Sequence, residues 1–324
     1  MFVVNYHDDL NEVQGSAWPA PSPFDRIEWW QGLARDCALI PLIVIASDGD
    51  ERVLLPLQRS AGGLAALSNW YNFSWRPLVT QGGRPVLEAL LSDLGRKFPV
   101  ISLSPLPDEN GETAQLEAAC RAAGWLTFRS QCDVNHVLPV AGRSYAEFLA
   151  GRPGQVRTTL KRKANKVIVT IETEFNSSSW AAYEAIYAES WKPGEGSPAF
   201  LHAFAQAEGA AGRLRLGLAF ADGSPVAAQF WTVENGTAHI HKLAHTQASK
   251  PLSPGTTLSA ALFERVIDVD KVNLVDFGTG DDGYKRDWME VVRPRYRLDC
   301  YRPGNPQNWP AIIRQRLRRM AARG

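Results

Sequence analysis

The apolar positions of this chain change period from one segment to the next, and those changes mark out its elements. Residues 38–60, ALIPLIVIASDGDERVLLPLQRS, are two β-branched apolar runs joined by Asp48-Gly49-Asp50, which predicts a hairpin. Residues 213–246, RLRLGLAFADGSPVAAQFWTVENGTAHIHKLAHT, predict three strands turning at Asp222-Gly223 and Asn235-Gly236. Shorter apolar runs at 100–106, 135–140, 167–175 and 272–278 predict further strands. Helical spacing appears behind Asp25, where Ile27, Trp30, Leu33 and Ala34 predict a helix to Arg35 with Asp25 as its cap. It recurs in 85–98, ended by Gly95 and the basic residues after it, in 112–125, stopping at Gly124, and in 179–191, 198–209 and 253–269.

Between residues 144 and 166 the sequence SYAEFLAGRPGQVRTTLKRKANK predicts two helices parted at Gly-Arg-Pro-Gly, the second intensely basic. After it, the order strand, helices, β-meander, helix, strand repeats the logic of the first half. The pattern therefore predicts a mixed α/β fold in two related units, 1–142 and 143–303, followed by a basic tail, 304–324. The aromatic, turn-rich stretch LSNWYNFSWRPLVT, 67–80, is a candidate cleft lining.

Composition narrows the classes. An apolar share of 45% over 324 residues supplies a substantial core, and 35 basic against 34 acidic residues give a formal charge of +1, so any cationic function is local. Cys37, Cys120, Cys132 and Cys300 stand without a C-x-x-C pair and read as small buried or half-buried side chains rather than a disulfide framework. No signal-like leader is present and no window approaches the ~18–20 apolar residues of a spanning helix, so a cytoplasmic protein is expected. Two basic clusters stand out. Arg152, Arg157, Lys161, Arg162, Lys163 and Lys166 form either a solvated face or a site for a phosphate-rich partner such as tRNA, a cofactor nucleotide or anionic lipid. In the tail, PAIIRQRLRRMAARG carries an apolar strip, Ile312, Ile313, Leu317 and Met320, for which docking on the protein is favoured over peripheral membrane contact.

Candidate chemistry gathers in the second half. SKPLSPGTTLSAAL leads from a strand through Ser253, Pro254, Gly255, Thr256 and Thr257 into a helix start, a device for holding phosphate groups or an ordinary cap. His239, His241 and His245 share strand parity, with Lys242 on the opposite face; without Glu or Cys at a ligand spacing, a polar strand beside a cleft is favoured over a metal site. VNLVDFGTGDDGYKRDWM, 272–289, sets Asp276 at the end of a strand and Asp281 and Asp282 on an exposed turn ahead of Tyr284 and Lys285, suited to proton transfer or to capping and pairing.

GRPGQVRTTLKRKANKV, SPVAAQFW, HKLAHTQASKPLSPGTTL and VDFGTGDDGYKRDWM, in that order, resemble segments of the bacterial CelD/BcsL-like acetyltransferases of the GNAT superfamily (BioF2-like acyltransferase domain), which are related to the FemAB peptidyltransferases. The resemblance spans residues 140 to 300, and the first half, with EWW and LLPLQRS, is similar to the divergent N-terminal half of those proteins. It implies a tandem pair of GNAT-like units and acyl transfer from acetyl-CoA or another acyl-CoA, without a metal, to an amine or hydroxyl of a cell-envelope or polysaccharide-related acceptor, a small molecule or a glycan or lipid precursor. It maps the family's glycine-containing loop onto Ser253, Pro254, Gly255, Thr256 and Thr257, to which Lys242 is added as a candidate for donor binding, and its Asp-Tyr-Lys segment onto Asp281, Tyr284 and Lys285. The roles expected of these are acceptor deprotonation for Asp281, protonation of the leaving group for Tyr284, and stabilisation of the oxyanion or binding of an anionic part of the substrate for Lys285. The chain departs from the family's two-glycine phosphate loop in having one glycine there. That departure keeps a FemAB-like, aminoacyl-tRNA-dependent transfer as an alternative, although no paired-helix arm for tRNA is legible. A third reading is a non-catalytic binding member of an exopolysaccharide system.

Overall fold

The computed structural model describes residues 1–13 and 18–321, which divide into two compact units: Met1–Val134 with the chain from Arg293 onward, and Asn135–Val292. In chain order the elements are β1 (Val3–His7), α1 (Ile27–Asp36), β2 (Pro41–Asp48), β3 (Glu51–Ser60), β4 (Gly63–Ala66), β5 (Leu78–Val79), α2 (Arg84–Lys97), β6 (Val100–Leu106), α3 (Glu112–Ala122) and β7 (Leu126–Pro139). There follow α4 (Tyr145–Ala150), α5 (Gly154–Lys163), β8 (Ile168–Glu172), α6 (Ser177–Ala188), α7 (Pro198–Ala210), β9 (Leu214–Ala221), β10 (Ser224–Glu234) and β11 (Thr237–His245). The chain ends with α8 (Pro254–Glu264), β12 (Leu274–Thr279), β13 (Val291–Tyr301) and α9 (Trp309–Ala321). The mixed α/β architecture in two repeats is the one the sequence pattern predicts. The division falls at Val134/Asn135, inside β7, and the chain returns to the first unit at Arg293, inside β13. Residue 142 and residue 303, the boundaries read from composition, lie at turns after those strands, because uninterrupted strands carry no loop signal where the chain changes unit.

In the first unit the strand order is β1-β2-β3-β4-β6-β13-β7, with β5 on β3. Leu55, Leu57, Leu64, Leu90, Leu94, Ile101 and Leu298 meet in its core, with Cys120 and Cys300 among them, whereas Cys132 is exposed. Two local expectations are corrected here. Asp25 does not cap α1: it ends a 3-10 turn, is buried, and accepts from Ser22 Oγ at 2.6 Å with Arg76 at 3.8 Å, while Arg26 takes the cap position. Gly95 does not end α2, which runs on to Lys97.

In the second unit the order is β7-β12-β11-β10-β9-β8. The β9–β10–β11 meander turns at Asp222-Gly223 and Asn235-Gly236, all four residues at positive φ between 49° and 78°. Such turns match the twist of the strands they join, and Gly supplies the second of these conformations at no steric cost. Helix α8 then packs across the sheet. Its Leu258 and Leu262 approach Gly217 of β9 so closely that a Cβ there would lie 2.8 and 2.9 Å from their methyl groups. Phe263, fully buried, stacks on Trp288 at 4.9 Å and meets Trp231 edge-on at 5.2 Å, which fixes α8 against the segment that follows β12. Truncating an aromatic so placed costs about 3–5 kcal/mol. The site is built on this rigid frame.

Candidate active site in the second unit

Strands β11 and β12 are parallel, and their ladder covers only Thr237–His239 against Leu274–Asp276, although the strands run on to His245 and Thr279. Beyond Asp276 the register of β12 on β7 also shifts, and the Asp276 carboxylate accepts from Asn135 Nδ2 at 2.6 Å and from the Gly278 N–H at 2.8 Å. On the other strand the β10–β11 register slips between Phe230, opposite Lys242, and Trp231, opposite Ile240, so that His241 is the extra residue of a bulge. The two carboxyl ends are thereby released from each other, and a wedge opens between parallel strands, the place where open α/β sheets bind ligands.

From the end of β11 the chain passes through the turn Lys250–Leu252 into the amino end of α8. Ser253, at φ +55°, stands at the cap position without capping; its hydroxyl accepts instead from Lys163 Nζ, at 3.0 Å, from the last turn of α5. Thr257, one turn in, is buried and its hydroxyl has no partner among the described residues. With the N–H groups of Thr256 and Thr257 donating to Ser253 O at 3.2 and 3.4 Å, the helix start presents the Gly255 N–H, two hydroxyls and one ammonium. All of these favour negative charge. Gln229 Nε2 donates to Gly255 O at 3.2 Å and Ser259 Oγ at 2.7 Å, anchoring this turn to the sheet.

From the end of β12 the chain forms the 3-10 turn Gly283–Asp287. Tyr284 packs edge-on against Phe277 at 5.7 Å; Lys192 Nζ donates to its phenol oxygen at 3.3 Å, and that hydroxyl donates to Asp282 Oδ2 at 3.2 Å. Burial, with the Asp282 charge beside it, raises the Tyr284 pKa, so the phenol is in its protonated form. Burial lowers the Lys192 pKa, opposed by Asp282 and assisted by Lys242. Lys192 also lines a cleft of about 500 Å³ with Trp180, Tyr183, Glu184, Tyr187 and Glu195. Glu195 of this lining pairs at 2.8 Å with Lys242 Nζ, which lies 5.4 Å from the centre of the Tyr187 ring, whose pKa burial and Glu195 push up to about 12.

The residues singled out from sequence are distributed over these features unequally. Ser253, Gly255, Thr256 and Thr257 do form the start of α8, but the lysine at Ser253 is Lys163. The bulge turns Lys242 toward α6, onto the side where His241 meets Phe204 and Phe230, not onto the face opposite that histidine. Asp281 does not meet Tyr284: its half-exposed carboxylate pairs with Arg286 at 2.6 Å and lies 3.1 Å from Nε2 of the buried His136. Arg286 first, then His136, lower its pKa, which makes it a weak base. Lys285 is buried and its ammonium donates to Thr279 O, bracing the turn. Arg152, counted with the basic helix, is also buried, donating to Trp288 O and paired with Glu290. Among the described residues no three of His, Cys, Asp and Glu are grouped so as to hold a metal ion. Lys192, Glu195 and His136 were missed. The one available hint was WKPGEG after an apolar helix, charge placed on a glycine-loosened return to the sheet.

Residues 154–286 match the family model described as an acetyltransferase (GNAT) domain. The matched segment lies within the second unit. The solved structure of FemX shares this fold with a TM-score of 0.63 at 10% identity, covering 91% of this chain and 96% of that one. L-PGS from Bacillus licheniformis has a TM-score of 0.56 at 14% identity, covering 93% and 98%. A tandem GNAT protein from the clavulanic acid biosynthesis pathway has a TM-score of 0.51 at 13% identity, covering 91% and 98%. These likenesses extend over both units and concern the fold alone. No curated protein matches the chain.

Proposed function

We propose that the second unit of this GNAT-fold protein transfers an acyl group from an acyl-CoA to an amine or hydroxyl acceptor held in the cleft of Trp180, Tyr187 and Glu195. The observation that carries this reading is the wedge. The carboxyl ends of β11 and β12 lead, respectively, into the anion-favouring start of α8 and into the Lys192–Tyr284–Asp282 chain. Coenzyme A fits the first of these features, since the Thr257 hydroxyl, the Gly255 N–H and Lys163 at the positive end of α8 would hold its phosphates. The bound donor supplies an activated thioester carbonyl.

The chain's own residues then have separable tasks. Lys192, its pKa lowered, accepts a proton at Nζ from the acceptor, and Tyr284 carries the proton to be given up, at its phenol oxygen. Asp282 orients that phenol. Asp281, drawn into its pairing with Arg286 and His136, holds the turn instead of acting as base. Aromatic walls with Glu184 and Glu195 suit a sugar bearing an amine, in keeping with the polysaccharide-related acceptors that the resemblance implies. The test is thiol release from acetyl-CoA over a panel of amino sugars. Turnover is expected with the wild type and a fall of ~10²-fold in Tyr284→Phe; equal rates in both would remove Tyr284 from the mechanism.

One observation favours a second reading. Arg157, Lys161, Arg162 and Lys166 of the α5 segment are exposed and form no ion pair among the described residues, as a polyanionic donor such as aminoacyl-tRNA would require. Displacement of acetyl-CoA by tRNA, weakening steeply with salt, would replace the first reading by this one.

A further inference from the structure

Helix α9 is amphipathic the wrong way round for a helix that docks by its apolar stripe. Its inner side is held to the first unit by Ile312, which is buried, by Gln315 reaching Asp299 at 3.4 Å, and by the buried Asn308 just before it, donating to Pro99 O and Arg302 O. Its outer side carries Trp309, Ile313, Leu317 and Met320, exposed by 55, 56, 56 and 62%. At 100° per residue these four span about 80° of arc, an unbroken apolar stripe pointing away from the protein. Arg314 and Arg318 flank it on one side and Arg316 on the other; all three are exposed and form no ion pair among the described residues. From Trp309 onward the sequence has no acidic residue.

We propose that this face is a docking surface for an anionic lipid bilayer. The charge pattern selects that occupant: an apolar centre for the acyl boundary and guanidinium groups at both margins for lipid phosphates. A second copy of the chain fits poorly, since pairing the stripe with itself about a two-fold axis would bring arginines against arginines. With 13 residues the helix is about 20 Å long, short of the ~30 Å hydrocarbon layer, so it lies in the plane of the interface. No helix among the described residues is long and apolar enough to cross a membrane. The sequence-based expectation that the strip docks on the protein is reversed: only Ile312 does so, and Ile313, Leu317 and Met320 face outward.

The test is flotation of the full chain with vesicles of phosphatidylcholine alone and of phosphatidylcholine mixed with phosphatidylglycerol. Binding is expected to the mixed vesicles only, falling as salt rises, about tenfold or more weaker in Leu317→Glu and roughly fivefold weaker for each of Arg314→Gln, Arg316→Gln and Arg318→Gln. All four positions are exposed, so the variants should unfold at the wild-type temperature. No binding to either vesicle, equal binding to both, or binding that Leu317→Glu leaves intact overturns the proposal. So does a lipid-free dimer, seen in sedimentation, that Leu317→Glu dissolves.

Discussion

The two units share one chain order and differ in what fills their wedge. In each, a three-stranded meander leads through a helix to a strand parallel to the meander's last: β4 with β6 in the first unit, β11 with β12 in the second. In the first unit the ladder is two pairs long, Leu64 with Ile101 and Ala65 with Ser102, and the chain beyond β4 then closes the gap itself. Ser68 Oγ donates to Ser104 O and the Trp75 N–H to Pro105 O, both at 2.7 Å, while Trp75 Nε1 donates to Pro56 O at 2.7 Å. Asn72, Phe73, Ser74 and Trp75 are all buried. The aromatic stretch marked from sequence as a cleft lining is therefore mostly filling. In the second unit the connection after β11 is short and leads through one 3-10 turn to α8, so no equivalent stretch fills the place among the described residues. The repeat teaches that the fold alone does not make a site; the loop after the fourth strand of each repeat decides whether a wedge is core or cleft.

The comparison can be broken most forcefully at Trp75. Trp75→Ala should cost about 3–5 kcal/mol in denaturant unfolding of the first unit, with donor affinity unchanged under conditions where both units remain folded. A loss below 1 kcal/mol would mean that the first wedge is not closed by packing. Next in size is Tyr284→Phe, whose ~10²-fold loss of turnover corresponds to about 2.7 kcal/mol of transition-state stabilisation. Lys192→Met should match it and remove the ascending limb of the rate profile. Lys192 acts unprotonated and burial lowers its pKa, so wild-type kcat/KM should rise with pH through a value below that of an ordinary lysine. A flat wild-type profile would assign the proton elsewhere. Lys163→Ala should weaken acetyl-CoA binding about tenfold, the worth of one charge-assisted contact, with little change in turnover at saturation. The smallest effect is reserved for Asp281→Asn: its exposed pairing with Arg286 predicts less than about a tenfold change in turnover. A larger loss would restore it as the catalytic base.

Local periodicity made most of the fold legible. The Asp-Gly and Asn-Gly turns define the second meander because only a few residue types take those backbone angles, and the basic helix and the helix at 254 follow from the proline and glycine breakers that precede them. Features set by distant partners were not legible. Asp25 has the chemistry of a cap, but burial beside Ser22 and Arg76 takes it out of that role. Lys242 was assigned by strict alternation, and a one-residue bulge turned it to Glu195. In the candidate site the start of α8 and Tyr284 could be named from sequence. Lys192 and His136, 92 and 145 residues from their partners Tyr284 and Asp281, could not, because nothing local marks a pairing made through the sheet.

The central claim, that the wedge of the second unit with the start of α8 receives an acyl-CoA, is tested most directly by calorimetric titration of acetyl-CoA into the wild type and Gly255→Trp. Gly255 is suited to this, since a Cβ there would meet only His245 Cδ2, at 3.6 Å, and the bulk of an indole would extend into the proposed phosphate cradle. Saturable heat in the wild type that disappears in the variant, with the unfolding temperature unchanged, is the predicted result. No heat in the wild type, or equal heat in both proteins, would contradict the account.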